Sequence, residues 1–277
     1  MDFITLLKAV ILGLVEGMTE FAPVSSTGHM IIVDDMWLHS KEFLGKYAAN
    51  TFKVVIQLGS ILAVVVVFRQ RFVDLLGLNK ETRGKENRLR LGQVLVGLVP
   101  AGVLGVLFED TIDKYLFTTE TVLIGLVAGA VLMIIADVYR GRKQGPPTAE
   151  TVDQITYKQA FLVGIFQCLS VLLPGFSRSG STISGGVLVG MSYRAAADFT
   201  FIMAVPIMAG ASSISLLKNL EYISSSDLPF YAVGFISAFI FALISIKFFL
   251  KLINRVKLTP FAIYRIVLAA VIYFFFL

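Results

Sequence analysis

Six stretches of this chain are apolar for long enough to cross a lipid bilayer, and no other feature narrows its fold as much. A spanning helix needs ~20 predominantly apolar residues. Residues 52–69, 91–108, 120–138, 199–217, 229–250 and 258–277 are the candidates. Hydrophobic residues make up 56% of the 277 positions and charged residues 16%, a balance too apolar for a soluble globular domain. The expected fold is therefore an all-α integral membrane protein.

The opening MDFITLLKAVILG has Asp2 where a signal peptide carries basic residues, and no small-residue cleavage site follows it, so it reads as mature sequence. Cys168 is the only cysteine, which excludes an intramolecular disulfide and a thiolate metal cluster. The net charge of +5 does not point to nucleic acid, because Lys and Arg gather in short loops between apolar runs. Residues 69–90, 139–144 and 247–257 are basic, whereas 108–120 and 219–229 are neutral to acidic. The positive-inside rule puts the basic set in the cytoplasm and both termini outside. It leaves residues 36–51 and 109–120 outside, and 70–90 and 139–158 inside.

Two further apolar stretches, residues 3–34 and 158–193, are broken by EGMTEFAPVSSTGH and PGFSRSGST. Their arms of ~12 residues reach only ~18 Å and do not cross. Each reads as a re-entrant hairpin whose polar tip lies near the bilayer midplane, where irregular backbone survives only inside protein or beside a wet cavity. Shifting the first hairpin by 151 residues aligns Gly13 with Gly164, Glu16 with Gln167, Pro23 with Pro174 and Ser26 with Ser177. Residues 1–140 and 155–277 thus read as two copies of one hairpin plus three spans. An odd number of crossings inverts the second copy, and the result is a single membrane domain whose two tips meet.

The tips carry the candidate chemistry. Glu16 and Glu20 stand one helical turn apart, and ionisable groups at membrane depth are costly enough to imply a task. The competing structural reading pairs one of them with Lys8 or Lys53. Ser25, Ser26 and Thr27, with Gly28, fall where a helix start supplies caps and free N–H groups suited to an anion. His29 follows Ser26 by three residues, within reach of its hydroxyl proton. In the second tip Gly175, Ser177, Arg178, Ser179, Gly180, Ser181 and Thr182 form a small-residue loop with one guanidinium able to fork onto phosphate oxygens. Gln57 is a weaker candidate donor, and Lys53 and Arg265 lie near span ends, where snorkelling explains them. The chain contains no Walker loop, HExxH or paired CxxC.

The motifs EGMTEFAPVSSTGH and PGFSRSGSTISGG, with IQLGSILAVV between them, resemble the bacterial undecaprenyl-diphosphate phosphatases, the class linked to bacitracin resistance. Ala22 stands where that family usually has Leu, a change that removes no polar group. The resemblance implies a hydrolase of the cytoplasmic (inner) membrane. It removes the terminal phosphate of undecaprenyl diphosphate and returns the monophosphate carrier to cell-wall synthesis. It also implies that Glu16, Glu20, Ser26, His29 and Arg178 are the catalytic set, with the remaining motif serines and glycines shaping the phosphate pocket.

Two mechanisms are consistent with these residues: Ser26 attacks phosphorus with His29 or Glu20 as base, or His29 itself attacks. A diphosphate beside two carboxylates calls for Mg²⁺ or Ca²⁺ at Glu16 and Glu20. The site's mouth is expected on the outer face. Its partners are the polyprenyl diphosphate and membrane lipids, a homo-oligomer being left open. The rival class is a secondary transporter or lipid flippase, since inverted repeats with broken helices also build transport sites.

Overall fold

The computed structural model describes residues 2–79, 88–116, 118–219, 222 and 224–276. Residues 80–87 of the basic stretch, and residue 277 of the last expected span, lie outside this set. Among the described residues every extended element is helical, and strand pairing is limited to one parallel bridge between Ala149 and Met191.

Helix α1 (Phe3–Thr19) starts behind Asp2, whose carboxylate accepts a hydrogen bond from the Thr5 N–H at 2.9 Å. Then come α2 (Ser26–Met30), a π-helix (Ile31–Leu38), α3 (Ser40–Leu44), α4 (Lys46–Val67) and α5 (Arg69–Leu75). The first half closes with α6 (Leu91–Tyr115) and α7 (Thr119–Arg142). After a 3₁₀ turn (Val152–Gln154) the second half contains α8 (Tyr157–Leu172), α9 (Arg178–Leu188), α10 (Tyr193–Asn219), α11 (Leu228–Val256) and α12 (Thr259–Phe276).

Among the described residues five helices, α4, α6, α7, α10 and α11, are long and apolar enough to cross a membrane. The sixth expected span corresponds to α12, apolar but shorter. Ile236, Ile240, Ile244 and Phe248 make an exposed stripe at helical spacing along α11, and Leu95, Val99, Val103 and Val106 another on α6. In water such stripes would drive aggregation, whereas in hydrocarbon they face their proper solvent.

The first arms of the two hairpins, α1 and α8, run for 17 and 16 residues, longer than the ~12 expected from apolar length. The helix continues past the point where apolar residues stop because its polar positions are buried in protein, as Glu16 and Gln167 are. Gly13 and Gly17 let α1 lie directly on α11, where a Cβ would strike the carbonyl oxygens of Gly234 and Ala238. Ser237 and Ser245 of α11 then donate to the α1 carbonyls of Val10 and Met18 at 2.7 and 2.9 Å. Gly164 plays the corresponding part for α8 against Gly97 of α6. Helices α4 and α10 pack on each other, as do α7 and α12.

The return arm of the first hairpin does not continue as a regular α-helix past Met30, since it widens into the π-helix. This segment carries Asp34, fully buried, whose carboxylate accepts from Ser40 N–H and Oγ and pairs with Lys53 Nζ at 2.9 Å. Lys8 donates to the Leu38 carbonyl at 3.1 Å and lies over the Phe43 ring. Lys8 and Lys53 therefore fasten the first hairpin's return arm and form no ion pair with Glu16 or Glu20.

Candidate active site

Both tips are built the same way. After Pro23 the chain turns through Ser25, with φ 70° and ψ 96°, and its Oγ accepts from the Gly28 N–H. After Pro174 it turns through Ser177, with φ 70° and ψ 116°, and its Oγ accepts from the Gly180 N–H. The structural counterpart of Ser177 is thus Ser25, not the Ser26 that a uniform shift of 151 residues selects. One residue separates Pro23 from its cap and two separate Pro174 from its cap, so beyond the prolines the shift is 152. Ser26 and Arg178 then hold the same position, the first residue of α2 and of α9.

These two residues converge on one carboxylate. Glu20 caps the C-terminal end of α1. Its Oε2 accepts from Ser26 Oγ at 2.6 Å, and its Oε1 accepts from an Arg178 guanidinium nitrogen at 2.8 Å. The ion pair is well shielded, with side-chain exposures of 9% for Glu20 and 16% for Arg178. Glu16 lies one turn back on α1, close enough to interact electrostatically with both Glu20 and Arg178. One Glu16 oxygen and the second terminal nitrogen of Arg178 are buried without a hydrogen-bond partner. Unsatisfied buried polar atoms are rare, and here they leave an open acceptor and an open donor beside the Ser26–Glu20 pair.

His29 does not reach Ser26 in the way its spacing implies. Its Nδ1 lies 2.8 Å from the Ser25 carbonyl oxygen and its Nε2 lies 2.7 Å from the Tyr264 hydroxyl. A carbonyl only accepts, so Nδ1 carries the proton, and in the neutral ring Nε2 accepts from the phenol. The two rings are nearly parallel, with centroids 5.6 Å apart.

The hydroxyls of the second tip point mainly into protein. Ser179 Oγ donates to the Ala22 carbonyl at 3.1 Å and contacts Ser177 Oγ, which ties one tip to the other. Ser181 donates to the Phe166 carbonyl and Thr182 to the Arg178 carbonyl, while Thr200 donates to Thr182. Gly175, with φ +86°, sits where a Cβ would strike the Val122 carbonyl. Gly28 packs on Leu126 and Leu268, Thr27 is half-buried in α2, and among the described residues Gln57 makes no side-chain hydrogen bond.

Arg265 corrects a sequence expectation. It does not snorkel but is fully buried, and one terminal nitrogen donates to the carbonyls of Gly125, Gly175 and Phe176 at 3.1, 2.9 and 2.8 Å. Gly125 and Gly129 of α7 clear the space in which this guanidinium meets the loop. Neighbouring residues of α12, Tyr264 and Arg265, thus secure the first and the second tip respectively. An arginine inside an apolar span was a signal of such a role. Nothing in the sequence singled out Tyr264.

A family model described as bacitracin resistance protein BacA matches residues 9–271. The chain belongs to the BacA family. Among relatives, a protein named undecaprenyl-diphosphatase from Geobacillus sp. (strain WCH70) is 74% identical over 273 residues, covering 99% of this chain and 98% of the relative. The protein of that name from Bacillus subtilis (strain 168) is 60% identical over 270 residues, with 96% of each chain covered. The BacA match covers both hairpin tips and every residue that meets Glu20.

Proposed function

We propose that this BacA-family chain is an undecaprenyl-diphosphatase of the bacterial cytoplasmic membrane, with its active site where the two hairpin tips meet. The relatives' names supply the substrate, and one observation carries the chemistry: the Glu20 carboxylate is held between the Ser26 hydroxyl and the Arg178 guanidinium.

Ser26 Oγ attacks the terminal phosphorus while its proton passes to Glu20, already its acceptor at 2.6 Å. The Ser26 O–P bond forms, the P–O bond to the bridging oxygen breaks, and undecaprenyl phosphate leaves. Water then cleaves the phosphoserine and releases inorganic phosphate. Arg178 has an unpartnered nitrogen for an oxygen of the transferring phosphoryl group. In the version with His29 as nucleophile, Nε2 would first have to part from Tyr264.

A divalent cation, Mg²⁺ or Ca²⁺, fits the donor set in a limited way. Glu16 has a free buried oxygen and Glu20 lies beside it, and substrate phosphates would complete the shell. When bound, such an ion neutralises phosphate charge.

The architecture we favour has six crossings and two re-entrant hairpins in an inverted repeat, with residues 1–140 and 155–277 as the copies. The matched caps at Ser25 and Ser177 support it. So do the helix pairings, for α1 on α11 mirrors α8 on α6. The basic stretches then face the cytoplasm, and both termini and the mouth of the site face outward.

Phosphate release from undecaprenyl diphosphate by the detergent-purified protein tests the reading. Wild-type turnover that is lost in folded Ser26→Ala and Arg178→Ala supports it. A folded wild type inactive with divalent cations present overturns it.

A further inference from the structure

A cavity of about 430 Å³ adjoins the first tip. It runs from the exposed edge of Phe248 on α11, past Leu252 and the first turns of α12 at Phe261, to the buried Phe249 and to His29. Its volume lies within the ~300–1,000 Å³ of ordinary ligand pockets. Four polar side chains line it, and each is already engaged. Thr19 donates to the Val15 carbonyl, Ser245 donates to that of Met18, and His29 and Tyr264 bond to each other. A groove with no polar group left to satisfy takes hydrocarbon, not a headgroup.

We propose that this groove is the subsite for the first isoprene units of the lipid substrate, which leave the hairpin tips past His29 and run between α11 and α12 into the membrane. The inference rests on the phosphatase reading above and adds the path of the chain. Continuity selects the occupant. The wall formed by Ala22, Val24 and His29 belongs to the same tip as Glu20 and Ser26, so a diphosphate held there delivers its own chain to the groove. That presentation is intramolecular, at an effective concentration of order millimolar, an advantage that an unattached phospholipid acyl chain lacks.

The test is photo-crosslinking of the wild-type protein with a short-chain prenyl diphosphate carrying benzophenone at its first isoprene unit. The expected label falls on residues 245–264 and is displaced by undecaprenyl diphosphate but not by phosphatidylglycerol. Label elsewhere, or equal displacement by phosphatidylglycerol, overturns the proposal. In parallel, Leu252→Trp narrows the groove and should lower kcat/KM for undecaprenyl diphosphate at least about tenfold, through KM with kcat retained. An active, folded Leu252→Trp with wild-type KM also overturns it. Failure of the phosphatase reading is seen separately, as a wild type that releases no phosphate.

Discussion

Ser25 and Ser177, 152 positions apart, share one backbone conformation with φ at 70°, and the side chain of each accepts the N–H of the residue three further on. This pair sets the register of the site. It puts Ser26 and Arg178 at equivalent helix starts, from which both reach Glu20.

A positive φ strains any residue with a Cβ, by ~1–3 kcal/mol. Replacing Ser177 by Ala keeps that strain and removes the cap, worth ~1 kcal/mol, whereas Gly loses the cap and relieves the strain. Ser177→Ala is expected to melt below Ser177→Gly in detergent. The reverse order would show that the positive φ at this position carries no strain.

Glu20→Gln removes the acceptor for the Ser26 proton, and activity should fall ~10²–10⁴-fold. Because Ser26 and Glu20 act as one unit, Glu20→Gln combined with Ser26→Ala should be little worse than Ser26→Ala alone. Losses that multiply in full would separate the two roles. Single-turnover phosphate release distinguishes the cases.

Tyr264→Phe removes the hydrogen bond at His29 Nε2 while keeping the ring. If that bond positions His29 for the reaction, kcat should drop ~10-fold with KM nearly unchanged. Unchanged kcat would reduce the contact to packing.

Arg265→Met strands the loop carbonyls of Gly175 and Phe176, each costing ~1–3 kcal/mol when left unsatisfied in the interior. The expected result is a clear loss of thermal stability together with activity. A Tm equal to that of the wild type would show that the second tip holds itself.

Removal of divalent cations by excess chelator should abolish turnover and re-addition of Mg²⁺ or Ca²⁺ restore it. Glu16→Gln should raise the cation concentration needed. Full activity in chelator would remove the cation from the mechanism.

Much of this was legible in the sequence, because lipid imposes simple rules. Apolar length announces a crossing, and five such runs are membrane-length helices in the structure. Charge in an apolar setting announces a task, which singled out Glu16, Glu20 and Arg178. The motifs around them identified the family. Boundaries were read less well: α1 and α8 outlast their apolar runs, and the π-helix at Ile31–Leu38 was not foreseen, because burial of Glu16 and Asp34 depends on neighbours distant in the chain.

The partners of the site residues were decided by tertiary structure alone. The sequence offered His29 or Glu20 as the base for Ser26, and packing gave Ser26 to Glu20 and His29 to a tyrosine 235 residues away. A uniform shift matched Ser26 with Ser177, yet one extra residue after Pro174 moved the match to Ser25. Arg265 read as a span-end cation until α7 and the second tip closed around it. Chain order and hydropathy determine which segments enter the membrane and which polar groups go with them. Which of those groups meet depends on close contacts between helices, such as Gly13 on α11 and Gly129 beside Arg265, that no local pattern encodes.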